Sequence, residues 1–264
     1  MALTRRIKKR NSALKRIAEI DQKAEHCLVI HYSCESFYDK TDGKTPRVTS
    51  IALRNLSSAQ TESFSIHKIA EQQKIDFSCI ESEYDSLEKE MLKEFYDYVS
   101  KNKNYTWIHW NMRDINYGFM AIEHRFKVLD GTPIEIPEER KFDLARALVY
   151  TFGIQYINHP RLENIIKLNK ISQQDLLLGK AEAEAFTNKE FVKIHQSTLR
   201  KVDVLSNIFE LLADGNLKNL STWKDIYGLS FESIITCVKQ HWIISLITIL
   251  SVIISFICKI KGLF

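Results

Sequence analysis

The sequence predicts an α/β domain with its sheet in the first half, a helical C-terminal half, and one hydrophobic helix at the end of the chain. Three observations predict it. β-Branched apolar runs of strand length lie between Asp-, Gly- and Pro-rich turns over residues 27–67, helical periodicity takes over from residue 84, and residues 242–258 carry no charge. With 264 residues, 45% hydrophobic and 27% charged, the chain is long enough for one well-formed core.

The elements follow in order. Residues 1–26 read as a basic amphipathic helix, because Leu3, Ile7, Leu14, Ile17 and Ile20 recur at near-helical spacing. Arg5, Arg6, Lys8, Lys9, Arg10, Lys15 and Arg16 crowd the first sixteen residues without an acid among them, so the rest of a chain of formal charge +4 is slightly acidic. Such a helix suits an anionic leaflet, nucleic-acid phosphates, or simple packing with a solvated charged face. No signal peptide is expected, since the charged start is followed by Asn11-Ser12-Ala13 and more charge.

Three strands are expected at CLVIHYS (27–33), RVTSIALRN (47–55) and TESFSIH (61–67), joined by short turns as an antiparallel meander. A helix follows at 81–102, a strand at YTWIHW (105–110) and a helix at 113–129. From Lys141 the chain reads as almost wholly helical, through 141–153, 159–170 and 191–215. Residues 27–214 thus form one domain, residues 215–241 a connector.

Trp242–Cys258, uncharged and flanked by Lys239, His241 and Lys259, predicts a transmembrane helix of roughly 25 Å at ~1.5 Å per residue, with a short tail at 259–264. The expected placement is a single-pass membrane protein with its large domain in the cytoplasm. Ser245, Thr248, Ser251 and Ser255 form a stripe suited to self-association in the membrane, or one merely tolerated there.

The five cysteines, Cys27, Cys34, Cys79, Cys237 and Cys258, lack the paired spacing of a zinc site or disulfide framework and suit a reducing compartment. No Gly-rich phosphate loop, GxSxG elbow or HExxH helix occurs, which removes the commonest nucleotide and hydrolase readings.

The order strand, strand, strand, helix, strand, helix, with LVIHYSCESF, WIHWNMRDINYGFMAIEHRF, KFDLARAL and LRKVDVLSNIFELL upon it, resembles the ribonuclease H-like fold of the DEDD 3′–5′ exonucleases. The resemblance spans roughly residues 27–212 and implies a mixed sheet, an antiparallel meander plus a parallel strand. In that family four carboxylates from separate elements hold two divalent metals that activate water and stabilise the leaving oxygen.

The resemblance makes Glu35, Asp114 and Asp203 the metal-binding acids, with Mg²⁺ or Mn²⁺ as cofactor, and places His195 two helical turns before Asp203. Ser33 stands where the first Asp is expected, and Thr198 or Leu199 where a Tyr or His precedes the last. Loss of one bridging carboxylate makes two-metal catalysis doubtful on charge alone. Asp143 and Glu182 are the acids available as replacements.

Three functions follow as expectations. The first is a membrane-anchored, exonuclease-like domain that binds nucleic acid or a nucleotide with catalysis reduced or lost, a layout that fits a sensor or effector in bacterial defence. The second is an active metal-dependent 3′–5′ exonuclease, and the third a protein-interaction scaffold at the membrane. His31 and His109, alternating on strands, are expected to be packed rather than catalytic.

Overall fold

The computed structural model describes residues 2–35, 46–227 and 249–250. Five strands form a single sheet in the order β3-β2-β1-β4-β5: β1 (Cys27–Cys34), β2 (Val48–Asn55), β3 (Thr61–Ser65), β4 (Thr106–His109) and β5 (Lys141–Asp143). β2 runs antiparallel to both its neighbours, while β4 and β5 lie parallel to β1. β1 is therefore central. Its residues are buried almost throughout, with an apolar first half, Cys27 to Ile30, as a strand covered on both faces requires.

The two-residue period of β1 divides the core. Leu28, Ile30 and Tyr32 face a cluster built with α2 (Ile66–Gln72), α3 (Tyr84–Lys101) and α4 (Phe119–Val128). Cys27 and Val29 face the opposite cluster, built with α1 (Ala2–Asp21), α5 (Leu144–Phe152), α6 (Arg161–Leu168) and α8 (Phe191–Ala213). α7 (Lys180–Thr187) and the short α9 (Trp223–Tyr227) complete the described helices. His31 and Ser33 continue the second series, which turns them toward α8.

α1 adopts the expected amphipathic form. Ala13, Ile17 and Ile20 are buried, and the basic residues line the outside. Of the readings open for this helix, packing on the domain describes where its apolar stripe goes.

The element boundaries depart from expectation at several places: the helix expected at 113–129 begins only at Phe119, and α7 was not expected as an element of its own. TESFSIH ends as a strand at Ser65, where α2 begins without a turn residue. KFD, read as the start of a helix, is strand β5, and Asp143 caps α5 behind it by accepting the Arg146 N–H at 3.2 Å.

The expected transmembrane helix and the single-pass membrane placement built on it are not supported. Among the described residues no helix is long and apolar enough to cross a membrane. α1, α3 and α8 have 20, 18 and 23 residues, but each carries charged side chains along its length, such as Arg200, Lys201 and Asp203 in α8. Ionised groups of that kind are costly in hydrocarbon. The expected span, Trp242–Cys258, lies outside the described residues apart from Ile249 and Leu250, as does the hydroxyl stripe expected to drive self-association.

Candidate functional site

The C-terminal end of β1 is the polar centre of the molecule. Ser33, turned toward α8 by strand alternation, donates its hydroxyl proton to Glu182 Oε1 of α7, and its Oγ lies 2.8 Å from Thr198 Oγ1 of α8. Thr198 also meets Ser50 Oγ of β2 at 2.7 Å and donates to the Ile194 carbonyl one turn earlier. Lys201 Nζ donates to Glu182 Oε2 at 2.6 Å. Ser33, Ser50 and Thr198 are at most 1% exposed and Lys201 is 3% exposed.

A lysine so deeply buried needs a counter-charge, and Glu182 supplies it from the rim. His31 lies beneath the pair; burial and then the Lys201 charge push its imidazole well below the usual range, so it stays neutral. The centre thus holds one ammonium, one carboxylate, three hydroxyls and a neutral imidazole.

The expected acids lie around this centre with other partners. Glu35 Oε2 accepts from Arg47 Nε at 3.4 Å, and the same guanidinium reaches Glu81 at 3.0 Å and stacks 4.3 Å over the Tyr84 ring. Asp203 meets Arg200 and, at 3.3 Å, Arg54 of β2. Its direction follows from helix geometry: two positions beyond Lys201 it is turned roughly 200° around α8, away from Ser33. Thr198 and Lys201, three positions apart, share the face that meets β1.

Asp114 is exposed in the loop after β4, where its carboxylate accepts the Asn116 N–H at 2.8 Å and its own N–H meets the Tyr117 carbonyl at 3.2 Å. Gly118 closes that loop at a φ of +152°, and a Cβ there would lie 2.5 Å from the Met112 carbonyl group. The tight closure brings the Gly118 N–H to Tyr32 Oη of β1 at 2.9 Å. Asp143, the other candidate acid, is held by Arg113 at 2.8 Å and accepts the Asn111 N–H.

His195 packs on His67 with ring centroids 5.0 Å apart, away from Asp203. Burial, then the His67 and Lys68 charges, hold it down at about 3, so it is neutral at physiological pH. His109 is likewise buried against Phe119, lowered to about 4 by burial, with Nδ1 accepting the Met112 N–H.

The donor set does not fit Mg²⁺ or Mn²⁺. Those ions need oxygen ligands from carboxylates that are otherwise unneutralised. Here Glu35, Asp143, Glu182 and Asp203 each face a guanidinium or ammonium group, and Asp114 is engaged in its own turn. Among the described residues no group of three His, Cys, Asp or Glu side chains is placed to hold a metal ion.

Lys201 and Ser50 are the members of the centre that sequence reasoning left out. The available signal was the three-residue spacing of Thr198 and Lys201, which puts both on the face of α8 opposite Asp203. Comparison of the chain with protein-family models, curated proteins and solved structures finds no match.

Proposed function

We propose that this is a nucleic-acid-binding domain of ribonuclease H-like arrangement in which a lysine-centred hydrogen-bonded network stands where the acidic metal centre of an exonuclease would be, so that it binds its ligand without metal-dependent cleavage. The observation that carries this reading is the Lys201–Glu182 pair, 2.6 Å apart, closed by Ser33 and Thr198 at the end of the central strand. The sheet order β3-β2-β1-β4-β5, with only β2 reversed and a late helix laid across β1, supports the arrangement.

The chemistry supports the loss of cleavage. A divalent cation brought to Ser33 would meet a buried ammonium, and like charges a few ångströms apart in a low-dielectric interior repel strongly. Ser33 offers a neutral hydroxyl already engaged on both sides. The protein's own cation neutralises Glu182, so the centre is electrically complete.

The test is incubation of the full chain with labelled single-stranded DNA and RNA in Mg²⁺ or Mn²⁺, read in parallel for binding and for length. Bound but intact strands are expected. Metal-dependent shortening that disappears in Glu35→Gln would overturn the non-catalytic reading, and a chain that binds neither strand would overturn the binding reading.

A further inference from the structure

We infer that the contiguous groove between α1 and the α5–β5 edge is a phosphate-binding track that takes the backbone of a nucleic acid without reading its sequence. This inference rests on the nucleic-acid reading above and assigns that reading a surface distinct from the Lys201 centre.

The track consists of adjoining cavities. One of about 640 Å³ is lined by Arg5, Arg6 and Lys9 from α1 and by Tyr150, Gly153 and Ile154 at the end of α5. A second, of about 390 Å³, shares Lys9 and Tyr150 with it and continues past Arg16, Arg113 and Arg146. Arg16 also lines a third, of about 700 Å³. Lys9 lies 4.9 Å over the Tyr150 ring, which fixes an ammonium at the junction of the first two.

The charge balance favours an anion. Seven basic side chains, Arg5, Arg6, Lys9, Arg16, Arg113, Lys141 and Arg146, line the first two cavities, against the acids Asp225, Asp143 and Glu138. The acids and several of the cations are engaged with one another or locally: Asp225 accepts the Thr222 N–H, Asp143 caps α5 and pairs with Arg113 at 2.8 Å and Arg146 at 3.9 Å, Glu138 pairs with Lys141 at 3.0 Å, and Arg16 pairs with Glu19 at 3.3 Å, so the groove keeps a net cationic lining. Buried His109 adds no charge, being neutral above about pH 4.

Reach and shape favour a polymer over a single phosphate. From Arg5 to Arg16 the helix rises roughly 16 Å at ~1.5 Å per residue, enough for about five steps of one strand at ~3.4 Å each. The same helix argues against a lipid surface. An interfacial helix must give its apolar face to the acyl region, whereas Ala13, Ile17 and Ile20 are buried in the protein core. The cations line a concavity, which suits a rod-like backbone better than a flat leaflet.

The experiment compares the full chain with its Lys9→Gln/Arg146→Gln variant and a Lys89→Gln control on α3. Binding of a labelled single strand and of a duplex is followed between 50 and 200 mM salt. Lys9 and Arg146 are exposed, so the fold is expected to survive; circular dichroism checks it. The double variant is expected to bind at least about tenfold more weakly at the lower salt, with a log–log salt slope reduced by about 1.5 to 2, while the control matches the parent.

Equal affinity and slope in parent and double variant would overturn the track while leaving the binding reading intact. A parent that binds neither probe would remove both. Vesicles containing phosphatidylserine serve as the last arm: binding to them that depends on Lys9 and Arg146, with no binding to either oligonucleotide, would reassign the groove to a membrane and overturn the inference.

Discussion

The two faces of the sheet each bury an ion pair, and the two pairs are built differently. On the α3–α4 face, Glu88 is fully buried, receives Arg125 through Nε and Nη2 at 2.6 to 3.0 Å, and accepts the Val48 N–H at 2.7 Å. On the α8 face, Lys201 is buried but its partner Glu182 keeps about a fifth of its side chain exposed, and the rest of the shell is hydroxyls. The first keeps its carboxylate enclosed by an aromatic and aliphatic core, although Arg125 Nη2 also reaches the exposed Asp85 at 2.5 Å; the second has its carboxylate at a rim of further charges. The difference teaches that one face is devoted to holding the fold and the other carries the polar groups from which a function has to be built.

Breaking the sealed pair should have the largest effect. Arg125→Met removes the counter-charge of Glu88 in the core, so that carboxyl must either stay charged without a partner or take up a proton, a loss of about 3 to 5 kcal/mol. Burial already pushes the Glu88 carboxyl upward despite Arg125, so the variant is expected to hold it protonated. Chemical denaturation of parent and variant measures the loss, and a change under about 1 kcal/mol would erase the contrast between the faces.

Lys201→Met tests the open pair. Glu182 can turn to water, so the expected cost is smaller, about 2 kcal/mol by the same measurement. Oligonucleotide binding should survive, because the basic track lies along α1 rather than at this centre. A cost equal to that of Arg125→Met would show that both pairs are structural anchors of the same kind.

A third effect is on pH dependence. His195 is held at about 3 in the folded chain, chiefly by burial, against about 6.5 when unfolded. Between those values the unfolded state binds more protons, so stability is complete above pH 6.5 and falls as the pH drops. His195→Phe keeps a ring beside His67 and removes this titration. The parent should lose about 2 kcal/mol more than the variant between pH 6.5 and 5. Equal losses would place the acid sensitivity at His67, His31 or His109, which burial also lowers.

The same contrast explains what was legible in the sequence. β1, β2 and β4 follow from short β-branched or apolar runs between turn residues, and α3 and α8 from a 3.6-residue period, because each buries enough apolar surface to leave a local mark. α2, β5 and α7 escaped such a reading. β5 has only three residues and passes straight into α5, and α2 follows β3 without Gly or Pro, so neither boundary leaves a local mark. At the site, Ser33 was legible as a departure from an acidic pattern, and the charge of α1 was legible from composition. The pairing of Lys201 with Glu182 was not, since it depends on how α7 and α8 dock, a fact of tertiary packing that spacing along one helix does not contain. The acids singled out by resemblance were placed by sequence order alone. The arginine partners of Glu35 and Asp203 come from the residues before β2, from β2 and from α8 itself, contacts that no linear motif records.

The smallest expected effect is that of Ser33→Ala, and it separates the network from its parts. The Ser33 hydroxyl touches Glu182 and Thr198, yet each keeps another partner: Glu182 retains Lys201, and Thr198 retains Ser50 at 2.7 Å and the Ile194 carbonyl at 2.9 Å. Removing one hydroxyl therefore leaves no buried polar group unpaired, and the cost should stay near 1 kcal/mol, the net worth of an ordinary intramolecular hydrogen bond. Ser33→Ala combined with Lys201→Met tests whether the two act as one unit, since residues sharing a network depart from additivity by about 0.5 to 3 kcal/mol. A double variant whose loss equals the sum of the singles would mean that Ser33 merely neighbours the ion pair. A loss smaller than the sum would mean that the hydroxyl acts through Glu182, and that the chain has built at the end of β1 one cooperative centre around its own cation.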